Sequence, residues 1–230
     1  MREASRGTAA GLANVGSSRR PVTSTNLTAA RAVAFARAVN LTAADIPGAR
    51  IARTREGRGD PNEQRQRHRC EGATRPGRNL TDTRSPKFSR GTELETEEIR
   101  SYVTVLAKGR PAAAEFAPLE SAAVRECVSR VLTRRFAAKA VREARWGRFS
   151  VSRLPVQAPG ADGTIGIRVA ATLTLTLSEV SVPIYFDVLG FASGPAAVAL
   201  SAVSVTQPVP AATEGRLLSL LVARAEAHPL

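Results

Sequence analysis

From Thr164 to Leu177 apolar and polar positions alternate: Ile165, Ile167, Val169, Ala171, Leu173, Leu175 and Leu177 fall on one side of an extended backbone, Thr164, Arg168, Thr172, Thr174 and Thr176 on the other. A period of two predicts a half-buried antiparallel strand. The next run, Val180 to Val188, carries Val182, Ile184, Phe186 and Val188 in a matching row, and the break at Ser178-Glu179 joins the two as a hairpin without an Asn-Gly or Asp-Gly turn. Pro183 places part of that run at an edge or a bulge, because proline cannot donate to a ladder. A last strand is expected over Ala196 to Thr206; there Val198 and Leu200 are out of phase with Val203 and Val205, which predicts a bulge near Ala202. Earlier strands are expected over Glu98 to Ala107 and Phe149 to Val156.

Three helices complete the pattern. After Pro208 and Pro210, Leu217, Leu218, Leu221, Val222 and Ala225 recur at helical spacing, predicting a C-terminal helix that covers the sheet's apolar face. Pro111 opens a helix running to about Phe136, with Phe116, Leu119, Ala123, Val124, Cys127, Val128, Val131 and Leu132 on its inner face and Pro118 placed to kink it or to move its true start. A first helix is expected from Leu27 to Val39, with a weak stripe of Leu27, Ala30, Val33, Ala34 and Ala38 and a cap at Thr25 or Asn26. The fold class is α+β, an antiparallel sheet flanked by helices. Residues 1–24 lack periodicity and read as a disordered arm; residues 25–230 read as a single α+β domain with a long, irregular, Arg-rich loop at 50–84.

Composition changes this picture little. The chain has 230 residues, is 43% hydrophobic and can bury a sizeable core. Its net charge of +13 would ordinarily point to a polyanion, but lysine occurs only as Lys87, Lys108 and Lys139, and the Arg- and Ala-rich remainder is that of a GC-rich bacterial genome. With 4% aromatic residues there is little for bases to stack on, so specific nucleic-acid recognition is not expected. No run approaches a membrane span. The N-terminal residues lack the apolar core of a signal peptide, so export implies a leader encoded upstream.

Candidate chemistry is sparse. Cys70 and Cys127 could form one bridge, two buried thiols or one reactive thiol. With only His68 and His228 available, zinc ligation lacks ligands and no metal or cofactor is expected. His68 beside Cys70 could activate a thiolate, but two residues of a flexible loop have no fixed geometry, so Cys70 reads as a structural half-cystine. Asp162-Gly163 is a turn dipeptide, and Asp45 in AADIPG a turn or cap residue. The loop from Arg50 to Arg78 is the densest basic cluster; Arg50, Arg53, Arg55, Arg58, Arg65, Arg67 and Arg69 would form an anion-binding loop, against the alternative of a merely solvated one. No P-loop, dinucleotide fingerprint, nucleophile elbow or paired-carboxylate pattern occurs.

The segments VNLTAADIPGA, SPKFSRG, EEIRSYVTVLAKGRPAAAEFAPLESAAVRECVSRVL and VPIYFDVLGFASGPAAVALSAVSVTQPVPAATEGRLLSLLVARAEAH, in that order, resemble a group of exported proteins and lipoproteins of high-GC actinobacteria that look like members of the PsbP-like superfamily, the α/β/α sandwich shared with photosystem II extrinsic subunits and the Mog proteins. The resemblance covers about Asn40 to Leu230. It implies an extracytoplasmic setting, a Cys70–Cys127 bridge and no enzymatic activity. The expected function is thus a non-enzymatic, exported binding or accessory domain of the cell envelope, monomeric, acting on a protein or small ligand. Polyanion binding through the Arg50 to Arg78 loop comes second, and a thiol-dependent enzyme using Cys70 and His68 third.

Overall fold

The structure, a computed structural model, describes residues 27–52, 70, 79–92, 96–107, 111–138 and 143–230. The expected arm at 1–24 and most of the loop at 50–84 lie outside these residues. Nine strands join one antiparallel sheet: β1 (Arg50–Ile51), β2 (Asn79–Arg84), β3 (Phe88–Arg90), β4 (Glu97–Leu106), β5 (Ala144–Trp146), β6 (Ser150–Arg153), β7 (Gly163–Leu175), β8 (Ser181–Ser193) and β9 (Ala196–Val205). The order is β1-β3-β4-β9-β8-β7-β5, with β2 sharing the outer edge of β4 and β6 the outer edge of β7. The helices are α1 (Ala29–Val39), α2 (Ala117–Glu120), α3 (Ala122–Ala138) and α4 (Ala211–Ala227), with 3-10 turns at Ala43–Asp45 and Ala112–Glu115.

Register defines the two faces, because residues directly opposite in an antiparallel pair share a side. Arg168 stands opposite Asp187, Asp187 opposite Ala202, and Ala202 opposite Ile99. On this first face Leu189, Phe191, Val198, Leu200, Val103 and Val105 pack with Ala32, Phe35, Ala36 and Val39 of α1 and with Leu217, Leu218, Leu221, Val222 and Ala225 of α4. On the second face lie Ile165, Ile167 and Ala171, with α3 over the end formed by β5 and β6. There the Phe136 ring packs on Trp146, centroids 5.0 Å apart, and on Phe149 at 4.8 Å. Trp146 stands opposite Leu173, which fixes the side. Helices therefore flank both faces of the sheet.

The predicted C-terminal helix forms, and its five apolar positions are all buried. It does not cover the face bearing Ile165 and Leu173, as the pattern led one to expect, but the opposite one. Strands β4, β8 and β9 are apolar on that face too, so α4 finds a larger core there. The second face stays partly open, with Val188 37% exposed.

Other expectations change in detail. The cap of α1 is Thr28, whose hydroxyl accepts from Arg31 N, and its buried stripe is Ala32, Phe35, Ala36 and Val39. Pro118 stands in the first turn of α2, where a proline is tolerated; the second helical run is broken at Ser121, whose extended backbone separates α2 from α3, and only Ser129 of α3 is buried. The loop at 50–84 begins and ends in strands, β1 and β2. No bulge interrupts β9: its register runs unbroken from Glu97–Ser204 to Val105–Ala196, and alternate residues simply serve alternate faces. Pro183 does fall where part of β8 reaches an edge, although the rest of β8 runs inside the sheet between β7 and β9. Pro183 is tolerated because β9 pairs only as far as Val205, opposite Ile184, so the missing N–H points past its end, where the Pro183 carbonyl accepts from Thr206 N.

Candidate functional site

Arg168 and Asp187 are neighbours across the β7–β8 ladder on the face under α4, and their side chains meet bidentately, Nε to Oδ1 at 2.8 Å and Nη2 to Oδ2 at 2.6 Å. Asp187 is 1% exposed. The Arg168 guanidinium also lies 5.6 Å from the centroid of the Tyr185 ring, two residues along the same face of β8. Buried charge of this kind is tolerated only when it is paired and hydrogen-bonded, and the fork geometry supplies both.

The first turn of α4 brings a second carboxyl to the pair. Pro210 precedes the helix, and Thr213 N and Glu214 N both donate to its carbonyl. The turn so formed places Glu214, only 3% exposed, against Asp187 and Arg168. Two carboxyls can share a hydrogen bond only if one keeps its proton. Glu214 is the one: burial first, then the Asp187 charge and the bond to Asp187, push its pKa up to about 8, with Arg168 pulling weakly the other way. Arg168 is itself shifted upward, chiefly by its bond to Asp187. At neutral pH Glu214 thus stays neutral beside the Arg168–Asp187 pair.

Above the cluster lies a groove of about 510 Å³. One wall is the start of α4, with Ala211, Ala212, Gly215 and Ser219; the other is the segment Leu154 to Gln157; Arg168, Leu189, Glu214 and Leu218 line the floor. The second wall hugs β7 because Leu154 N donates to Gly166 O at 2.8 Å, and a Cβ on residue 166 would overlap the Leu154 carbonyl and the Val156 side chain. Glycine is what lets that segment lie flat on the strand. A second ion pair locks α4 in place: Arg224 donates to both Asp45 oxygens, at 2.9 and 2.7 Å, and to the Asn40 carbonyl. Burial alone would raise the Asp45 pKa, but the bonds from Arg224 and from Thr42 outweigh it and hold the carboxyl below its ordinary value.

The residues singled out by sequence fall elsewhere. Cys70 and Cys127 are disulfide-bonded, with Cα atoms 5.6 Å apart, so neither sulfur is a free nucleophile. This bond ties a position inside the long loop to α3. Arg50 is exposed at the start of β1, while Arg53, Arg55, Arg58, Arg65, Arg67, Arg69 and His68 lie outside the described residues. Asp45 is the cap and clamp just described. Asp162 pins the β8–β9 turn by accepting from Gly194 N at 2.7 Å. Among the described residues no group of three or more His, Cys, Asp and Glu could hold a metal ion.

Sequence reasoning missed Asp187 and Glu214. The signals were present: a lone acid inside the apolar run VPIYFDVLGFA, a lone acid just after the helix-opening prolines, and a glycine in mid-strand at 166. Among the described residues the molecule is a nine-stranded antiparallel sheet between helices, with a groove beside α4. No family model, curated protein or solved structure matches the chain.

Proposed function

We propose that this protein is a non-enzymatic, exported binding domain of the cell envelope, and that it takes a small molecule in the groove between α4 and the Leu154 to Gln157 segment. The observation that carries this reading is a groove of about 510 Å³ in which the Arg168 and Glu214 side chains stand among the apolar side chains of Leu154, Pro155, Val156, Leu189 and Leu218. The groove also matches what small-molecule sites require, mostly apolar walls with a few fixed polar groups. Export is supported by the Cys70–Cys127 bond, since disulfides persist in oxidising compartments. Among the described residues no helix is long and apolar enough to cross a membrane. The PsbP-like resemblance points the same way.

The test is amide NMR of the full chain against a library of small amphiphiles. Shifts should concentrate at Ala211, Ala212, Gly215, Val156 and Gln157. They should vanish in Gly215→Phe, whose new side chain meets nothing within 4 Å of its Cβ and so fills the groove without a clash there. Binding that maps elsewhere, or that survives Gly215→Phe, contradicts the reading.

A further inference from the structure

We infer that the groove takes a carboxylate amphiphile, its head group held by the unused edge of the Arg168 guanidinium with Arg216 alongside, and its apolar body lying along Leu154, Pro155, Val156 and Leu218. The inference rests on the groove being a ligand site, as proposed above, and adds the ligand's chemical class.

Arg168 carries the argument. A guanidinium has five N–H donors, and the bonds to Asp187 engage only Nε and Nη2. Both Nη1 hydrogens and one on Nη2 are left without a partner among the described residues, on the edge away from Asp187. The Arg168 side chain remains 24% exposed and forms part of the groove's lining, whereas Asp187, 1% exposed, does not. A ligand in the groove therefore meets the cation of the pair and its spare donors, not the carboxylate. The group that satisfies those donors must accept, and a carboxylate can take two parallel N–H bonds from one guanidinium edge.

The rest of the lining does not oppose such a head group. Glu214 is its only carboxyl, and burial and the Asp187 charge keep it protonated at neutral pH, with a pKa of about 8. Arg216 on α4 adds a second cation; it is exposed, donates to the Asp45 carbonyl at 3.2 Å and has no carboxylate partner among the described residues. Since Asp187 already balances Arg168, the uncompensated charge in the lining is that of Arg216, which suits a monoanion and gives an ammonium head group nothing to pair with. The helix wall leaves room for the ligand. Gly215 stands in the second turn of α4, where glycine costs about 1 kcal/mol relative to alanine, yet no neighbour lies within 4 Å of where its Cβ would be. Packing does not demand a glycine there; an open groove benefits from one.

The experiment is isothermal titration calorimetry of the full chain at neutral pH with octanoate, n-octanol and n-octylamine, which share an apolar chain and differ in head group. Octanoate should bind, octanol should bind about tenfold more weakly, and octylamine should show no heat of binding. Arg168→Met alone would strand Asp187, so the informative change is Arg168→Met together with Asp187→Leu, which removes both charges of the pair. That double variant should bring octanoate down to the affinity of octanol while leaving octanol unchanged. Arg216→Gln, at an exposed position that does not threaten the fold, should cost octanoate about threefold. Gly215→Phe should block binding altogether. If octanol or octylamine binds in the groove as tightly as octanoate, or if neither the double variant nor Arg216→Gln lowers the preference for octanoate over octanol, the ligand class is wrong while the groove remains a site. If none of the three binds, or if octanoate ignores Gly215→Phe, the groove reading falls with it.

Discussion

At the scale of single residues the fold under α4 turns on one ion pair. Replacing Arg168 by methionine keeps most of the side-chain volume but strands Asp187, 1% exposed, without its cation. Removing one partner of a buried pair typically costs about 3–5 kcal/mol, and urea denaturation at neutral pH should show a loss of that order; a change below about 1 kcal/mol would mean the pair is not buried as described. Half of this site was legible. Arg168 reads from the sequence as a polar-face residue of its strand, which is where it lies. Asp187 went unread, because alternation says which residues share a face within a strand but not which residue stands opposite in the next. Only register brings the two together. Glu214 was hidden for a similar reason: it sits beside the apolar stripe of its helix, and its burial depends on the carboxylate across the interface.

At the scale of elements the strands β7, β8 and β9 and the helix α4 were readable, since each carries a clean period of two or of 3.6. The face that α4 covers was not. Helical spacing identifies Leu217, Leu218 and Leu221 as buried, but a sheet sandwiched between helix layers offers two apolar faces, and the richer one is chosen by strands distant in sequence. The same sandwiching explains the phase change in β9: both phases are apolar because both faces are covered in part, and no bulge is needed. The short strands β1, β2, β3 and β5 were lost because two to six residues without an apolar row leave no periodic signal. Truncation before Ala211 tests the packing of α4. Each of its buried leucines contributes roughly 1.5–3 kcal/mol, which together is a large share of the 5–15 kcal/mol that holds a typical domain folded. The truncated chain should aggregate or lose its cooperative melt in size-exclusion chromatography and circular dichroism; a monomer with unchanged Tm would contradict this arrangement.

At the scale of the whole molecule two devices hold the layers together. The Cys70–Cys127 bond ties a position in the loop between β1 and β2 to α3 across 57 positions of sequence, and closing a loop of that length contributes about 4 kcal/mol in the chain-entropy account. The Arg224–Asp45 pair clamps α4 to the segment after α1. The two perturbed carboxyls act in opposite pH windows. Asp45, held below its ordinary pKa, contributes stability that is present above the unfolded value and lost as pH falls toward the folded one. Glu214 is the reverse case. Its folded pKa of about 8 lies above the ordinary 4.5, so the folded chain keeps a proton that the unfolded chain releases, and stability falls as pH rises between these values, levelling off beyond. The burial of the groove floor is reported by that proton. The direct measurement is a carbon-detected NMR titration of the Glu214 side-chain carboxyl, assigned through Glu214→Gln. A midpoint at about 8 is the expected result; a midpoint near the ordinary 4.5 would show the carboxyl ionised and solvated at neutral pH, and the buried floor of the groove would not exist as described.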